Sequence, residues 1–471
     1  MKPSALSNLP APRRERGSAM LIILSIIGIG AAFLLVSALN KANQQVERDK
    51  ITSAALAQAK EALIGYAASV ILTPSGSKRP GDLPCPDVDN DGIAETGCGN
   101  ASGSTGQNLR LGRLPWKSLG LPDLRDGNGE RLWYAVSNKF KNNTRTLCTS
   151  PGMAGCLNSD TSGTITVRDP SGNVIFDGTG TTGAIAVVFA PGSPFTRQGG
   201  YVQNRACAPC SAQEVCTATP PTNTPRCNPV NYLDIALGED NANFQDGNAN
   251  GFIQGPIDAA GATILNDRLL TISPGDLMPT IEKRVAGEAL ACLTEYAAKS
   301  GNQGRYPWAA PLNPSLAPSY SDASGSRFGR IPDTPFTATK SDSENGMDDS
   351  WTSNCNINSI SGWWLNWKEI VFFALADAYK PVSAPMPAPA CGTTGTCLTV
   401  KPPSATANKQ VAAFVAGRRL AGVVGGQPRT SYNNKGTITN YLENQNSTPS
   451  DDTFERNAFT PTFNDATAFA P

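Results

Sequence analysis

Arg13-Arg14-Glu15-Arg16-Gly17-Ser18 is followed by a run of 22 residues, Ser18 to Leu39, that contains no charged side chain. A bilayer takes about 20 apolar residues to cross, so the run is long enough to span one. Basic flanks stay on the cytoplasmic side. The leader therefore belongs in the cytoplasm and everything after Leu39 outside it. A short basic leader ending in Gly against the start of an apolar helix also reads as a processing signal.

The helical pattern does not stop at Leu39. No proline stands between Pro12 and Pro74, and glycines such as Gly28 and Gly30 are tolerated within membrane helices. Ile51, Ala55, Ala59, Ala62, Leu63, Tyr66 and Val70 recur at helical spacing, with Glu47, Arg48, Asp49, Lys50, Lys60 and Glu61 between them. The spacing predicts one helix from Ser18 to about Leu72, roughly 80 Å long at 1.5 Å per residue.

This arrangement resembles the type IV pilin and type II secretion pseudopilin superfamily in its basic leader, its Gly17, its charge-free run and its amphipathic continuation. The resemblance implies that a prepilin peptidase cuts after Gly17 and methylates the new amino terminus at Ser18. It implies other pilin or pseudopilin subunits as partners, the inner membrane as the site of residence, and a periplasmic head that becomes extracellular in a filament. Two positions depart from the family. Ser18 stands where many major pilins have Phe, and Ile22 where most members have Glu. In the family that Glu neutralises the terminal amine of a neighbour, because a buried unpaired charge is costly. A subunit at a tip has no neighbour ahead of it, so Ile22 points to a minor, tip or initiating subunit. A plain signal anchor explains the hydrophobicity without a filament. A cleaved signal peptide fits less well, since its apolar region runs to only about 7–15 residues.

At 471 residues the chain has room for two or three domains. Its 45 glycines and 37 prolines favour loops, turns and short strands. Basic and acidic residues balance at 39 each, and no basic patch points to nucleic acid. The count of zero histidines excludes Ser-His-Asp and Cys-His catalysis and His-ligated zinc. Ser-Lys and paired-carboxylate chemistry stay formally open without a motif to support them, so no enzyme is expected.

The 12 cysteines read as disulfides on an exported chain. Cys85 groups with Cys98, Cys148 with Cys156 and Cys391 with Cys397. Cys292 and Cys355 are left to pair with each other. Cys207, Cys210, Cys216 and Cys227 form a denser cluster, where a Pro/Thr-rich setting argues for disulfides over a redox or zinc Cys-x-x-Cys.

The remainder reads as two similar halves. Glu61-Ala62-Leu63 to Tyr66-Ala67-Ala68 echoes Glu288-Ala289-Leu290 to Tyr296-Ala297-Ala298. Gly112-Arg113-Leu114-Pro115 returns as Gly329-Arg330-Ile331-Pro332. Glu130 to Ala135 has a counterpart in Trp367 to Ala374, and Ile185 to Gly192 in Val411 to Gly417. Asn231-Tyr232-Leu233-Asp234 matches Asn440-Tyr441-Leu442-Glu443, and Asn266-Asp267 matches Asn464-Asp465. The predicted organisation is a leader (1–17), a transmembrane half-helix (18–39) and two tandem pilin-like modules (40–275 and 276–471). The predicted class is α+β, each module a helix on a small antiparallel sheet with long disulfide-stapled loops. Strands are expected at Gly163–Arg168, Asn173–Phe176, Ile185–Ala190, Arg268–Ile272 and Val411–Ala416, and a second helix at Leu277–Lys299.

Asp87-Val88-Asp89-Asn90-Asp91-Gly92-Ile93-Ala94-Glu95 follows the first part of a calcium loop. Carboxylates stand at positions 1, 3 and 5, a turn glycine at 6, the Ile93 carbonyl at 7 and Glu95 at 9. Position 12 is Cys98 in place of the bidentate Glu. Calcium at Asp87, Asp89, Asp91, Ile93 and Glu95 stands against a solvated turn. Asp246 to Gly251 has the same spacing with fewer charges. Trp367, Ile370, Val371 and Ala374 fall on one helical stripe and read as core.

Overall fold

The computed structural model describes residues 18–72, 78–99, 110–141, 148, 156–205, 227–313, 320–333, 347–353, 355, 357, 362–382, 386–391, 397–401, 406–420, 426–429 and 431–471. The first helix, α1 (Ser18–Ser69), is unbroken. In its amino-terminal half Ile23, Leu24, Ile26, Ile27, Ile29, Phe33, Leu34 and Leu35 are all exposed. This is a helix of the length and composition to cross a membrane. From Thr52 onward one face turns inward. Thr52, Ala55, Leu56, Ala59, Leu63 and Ala67 are buried at the spacing of three and four that places residues on one side of a helix.

That face lies on an antiparallel sheet of four strands, in the order β1 (Leu111–Arg113), β2 (Trp133–Val136), β3 (Ala186–Ala190) and β4 (Arg268–Ile272). Successive side chains of a strand point to opposite faces. Tyr134, Val136, Val188 and Ala190 join the core under α1. Trp133, Ala135, Val187 and Phe189 join a second core with Tyr232, Leu233 and Phe252 beneath the loops.

β4 runs into α2 (Pro274–Ala298). Ser273 caps the helix through a reciprocal box with Asp276, and Pro274 occupies the first turn, where its missing N–H costs nothing. A second antiparallel sheet of four strands follows, in the order β5 (Phe328–Arg330), β6 (Val371–Leu375), β7 (Val411–Val415) and β8 (Ala466–Ala470). The same strand order thus occurs twice, each time with a preceding helix. α1 and α2 run in the same direction side by side. Lys60 Nζ lies 2.8 Å from the Asp276 carboxylate, and further along Arg284 donates to the Val70 carbonyl. Both helices and both sheets share one continuous apolar core.

The chain is therefore α+β, with a long apolar amino-terminal helix and several small, mainly antiparallel sheets. Some sequence expectations need correction. The stripe from Trp367 to Ala374 is core, but it is not one helix. A short turn of helix, Trp364–Trp367, gives way to β6, whose residues are all buried. Val371, Phe372 and Phe373 are β-branched or aromatic and suit a strand covered on both faces. The strand expected at Gly163–Arg168 shrinks to Val167–Arg168, with single bridges at Gly163 and Ile165. β1, β2, β5, β6 and β8 were not expected as strands.

Candidate functional site

Three features carry chemistry. The first is α1 itself. Ser18 opens the helix. Gly17 and the leader lie outside the described residues, as does the side chain of Ile22.

The second is the acidic loop. Asp87 is held by the backbone on both sides: it bridges to Arg113 in β1, and its carboxylate accepts from the N–H of Asn90 at 2.6 Å and of Gly92 at 2.8 Å. Gly92 adopts a left-handed conformation (φ +87°), and a Cβ there would run into the Trp116 ring at 2.7–2.8 Å. Only glycine fits that turn. Carboxylate oxygens of Asp87, Asp89 and Glu95 lie within 4.8 Å of one another. Burial pushes Asp87 up to about 7, with Asp89 and Asp91 adding to the rise against its backbone hydrogen bonds. Burial and Asp89 raise Glu95 as well. These three groups could hold a cation. Asp91 is not in that group. Its carboxylate accepts from the Ile93 N–H at 2.6 Å, and its carbonyl from Lys117. In the second loop, Asp246 pairs with Arg110 at 3.0 Å and accepts from Thr164, so its first carboxylate already faces a cation.

Disulfides join Cys85 to Cys98, Cys148 to Cys156, Cys292 to Cys355 and Cys391 to Cys397. Cys227 is also disulfide-bonded. Cys207, Cys210 and Cys216 lie outside the described residues.

The third feature is a polar network that occurs beside each sheet and that sequence reading did not assemble. In the first half, Asp234 accepts from Gln203 Nε2 at 2.8 Å and from the Asn266 N–H at 2.8 Å. Asp267 accepts from the Asp234 N–H at 2.7 Å and from Asn241 Nδ2 at 2.9 Å. Arg205 donates to the carbonyls of Asn231, Gly192 and Tyr232. In the second half, Glu443 accepts from Gln427 at 2.7 Å and from the Asn464 N–H at 2.9 Å. Asp465 accepts from the Glu443 N–H and from Asn446 Nδ2, both at 3.0 Å. Arg429 donates to the carbonyls of Asn440, Gly417 and Tyr441. The shared Gln-x-Arg spacing, Gln203-Asn204-Arg205 and Gln427-Pro428-Arg429, was the signal that could have completed the set.

Each network buries a pair of carboxyl groups. Burial raises Asp267 and Asp465 well above the ordinary carboxylate range, and the neighbouring Asp234 and Glu443 add to the rise. Asp234 is pushed up to about 6, again mainly by burial. Burial thus favours the protonated form of Asp267 and of Asp465, which eases the repulsion within each pair. Asp234, Asp267, Glu443 and Asp465 are all at most 4% exposed. Sealed from solvent, they tie loop to strand and present no acid or base to a substrate.

No family model, no curated protein and no solved structure matches the chain.

Proposed function

We propose that the chain is a minor pilin-like or pseudopilin-like subunit that joins, primes or caps a type IV pilus or type II secretion-type filament. The observation that carries this reading is α1. One helix offers an apolar half whose described large side chains are all exposed, and continues without a break into a half packed on a sheet. In this reading the leader is cut after Gly17 by a prepilin peptidase, Ser18 becomes the methylated terminus, and the bare half-helix packs among the helices of other subunits in the inner membrane and then in the filament. The head stands in an oxidising compartment outside the cytoplasm, which suits its disulfides. The repeated sheet order and the repeated polar network support two tandem pilin-like modules, 40–275 and 276–471. With Ile22 in place of the usual Glu, recruitment relies on helix packing and head contacts, as suits a tip subunit. Calcium at Asp87, Asp89 and Glu95 is part of the proposal as a brace for the first module.

Intact-mass measurement with and without prepilin peptidase tests the reading. A mature protein beginning at methylated Ser18 is expected, together with cross-links from residues 18–60 to other pilins. The second reading is a membrane-anchored extracytoplasmic binding protein or adhesin. It is favoured by the long stapled loops, and predicts no such cross-links.

A further inference from the structure

Lys368 and Asp333 meet in the interior of the second half. Asp333 stands three residues beyond β5 and Lys368 three before β6. Their side chains are 3% and 0% exposed. Lys368 Nζ lies 2.7 Å from Oδ1 and 2.6 Å from Oδ2 of Asp333. A nitrogen that touches both oxygens is about 3 Å from the carbon between them, the separation of a near-attack pair.

The surroundings hold both partners in place. The Asp333 N–H donates to the Tyr320 carbonyl at 2.9 Å, and the Tyr320 N–H donates to Asp333 Oδ2 at 2.6 Å. The indole N–H of Trp351 donates to the carbonyls of Pro332 and Asp333 at 3.1 and 3.0 Å. Lys368 Nζ lies 4.3 Å from the centroid of the Tyr320 ring. The buried Trp364 and Trp367 precede it in the short helical turn. Glu369, the next residue, turns to Lys435 Nζ at 2.9 Å and to the Tyr441 hydroxyl at 3.1 Å.

An ion pair shut away from water can lose more hydration energy than its own attraction returns. Burial lowers the Lys368 amine and raises the Asp333 carboxyl, which works toward the uncharged amine and acid. Nor does the sheet need the pair. Arg113-Leu114-Pro115-Trp116 matches Arg330-Ile331-Pro332-Asp333, so Trp116 stands where the second half has Asp333. Trp133 is paired with Arg113 as Phe372 is with Arg330, which puts Gly129 in the place of Lys368. The first half builds the same strand order with neither group.

We infer that Lys368 and Asp333 condense to an intramolecular amide that ties the exit of β5 to the entry of β6. One proton passes from the ammonium to Oδ1. The freed lone pair of Nζ forms a bond to Cγ, and the Tyr320 N–H holds the charge that develops on Oδ2. A second proton passes from nitrogen to Oδ1, the Cγ–Oδ1 bond breaks, and Oδ1 leaves as water. Every atom comes from the pair. Fixed geometry makes so slow a condensation accessible, since well-placed intramolecular reactants reach effective concentrations of about 10⁵–10⁸ M. The amide removes both charges from the interior and joins positions 35 apart in the chain. Unlike the disulfides, it is not opened by a reductant. The bond lies within one chain and does not depend on the filament reading.

The test is peptide mapping of the full-length protein, denatured, reduced and alkylated before digestion with trypsin. The expected product is a branched peptide, one water lighter than its two parts. In it the segment that begins at Ile331 is joined through Asp333 to a segment left uncut at Lys368. Lys368→Arg keeps the cation without the amine; its digest should lack the branch and return Asp333 in a linear peptide. Recovery of Asp333 and Lys368 only in linear peptides of the parent overturns the amide. So does a water loss that maps elsewhere, as to an Asp-Gly pair, or a branch that persists in Lys368→Arg. Should that variant fail to fold, the parent digest decides alone, because it is read after denaturation.

Discussion

The guanidinium of Arg113 lies 4.0 Å from the ring centroid of Tyr232 and 4.7 Å from that of Trp133. Arg330 repeats the contact, 5.0 Å from Tyr441 and 4.8 Å from Phe372. Both arginines are buried, and burial lowers Arg113 to about 10. A desolvated cation over an aromatic face contributes about 2 kcal/mol. Lysine cannot lay a planar group on the ring. Arg113→Lys and Arg330→Lys are each expected to cost about 1–3 kcal/mol in urea unfolding of detergent-solubilised protein, followed by tryptophan fluorescence. Equal stability of variant and parent would count against the stacking.

The carboxyl pairs set a pH dependence. A folded-state pKa above the unfolded value means that the fold holds protons the unfolded chain has released. Stability then falls as pH rises from about 4 through the folded value. Burial pushes Asp234 up to about 6 and Glu282 up to about 7, and Asp267 and Asp465 well above their ordinary range. These groups lower stability progressively between about pH 4 and 7 and beyond. Asp267→Asn keeps an acceptor for the Asp234 N–H and removes the buried group whose ionisation the fold opposes. It should flatten the profile and raise the melting temperature at pH 8 relative to the parent.

Asp160 joins the two halves through Arg419 and Arg429. Asp160→Ala leaves the nearly buried Arg429 without its carboxylate, at a cost of about 1–3 kcal/mol. Hydrogen exchange should rise at Arg419 and around Asn366 while the strands of both sheets keep their protection. Uniform destabilisation across all strands would argue against a local joint.

The disulfides differ in the chain they enclose. Cys292 and Cys355 are 63 residues apart, Cys391 and Cys397 only 6. Loop-closure entropy assigns about 4 kcal/mol to the first and about 2 to the second. Replacing each pair by serine should reproduce that order in denaturant midpoints.

The acidic loop is tested by removing cations. If Asp87, Asp89 and Glu95 hold calcium, melting in chelator should fall by several degrees and recover on adding calcium. Asp89→Asn should abolish the difference. Asp91→Asn, outside the group of three, should weaken it less.

Residues 18–69 were legible as one helix because an unbroken chain without proline, first charge-free and then periodic, has few other options. The body of α2 was legible too, expected at Leu277–Lys299, although the sequence reading missed its first turn at Pro274 and the Ser273–Asp276 cap; so were β3, β4 and β7, where short apolar runs are bounded by turn residues. β1, β2 and β5 were not legible. Leu111–Arg113 and Phe328–Arg330 are three-residue strands whose pairing, and not their composition, makes them strands. The Val371–Leu375 segment satisfies helical and extended patterns equally, and only the neighbours β5 and β7 select the latter.

The amino-acid order alone determined the apolar helix, its basic leader and the echo between the halves, since hydrophobic length and periodicity are local properties of a chain. Tertiary structure decided which carboxylates are buried beside one another, and that Asp160 ties the first half to Arg419 and Arg429 of the second. Those outcomes depend on distances between residues far apart in the chain, and burial changes their energies by more than any local preference does.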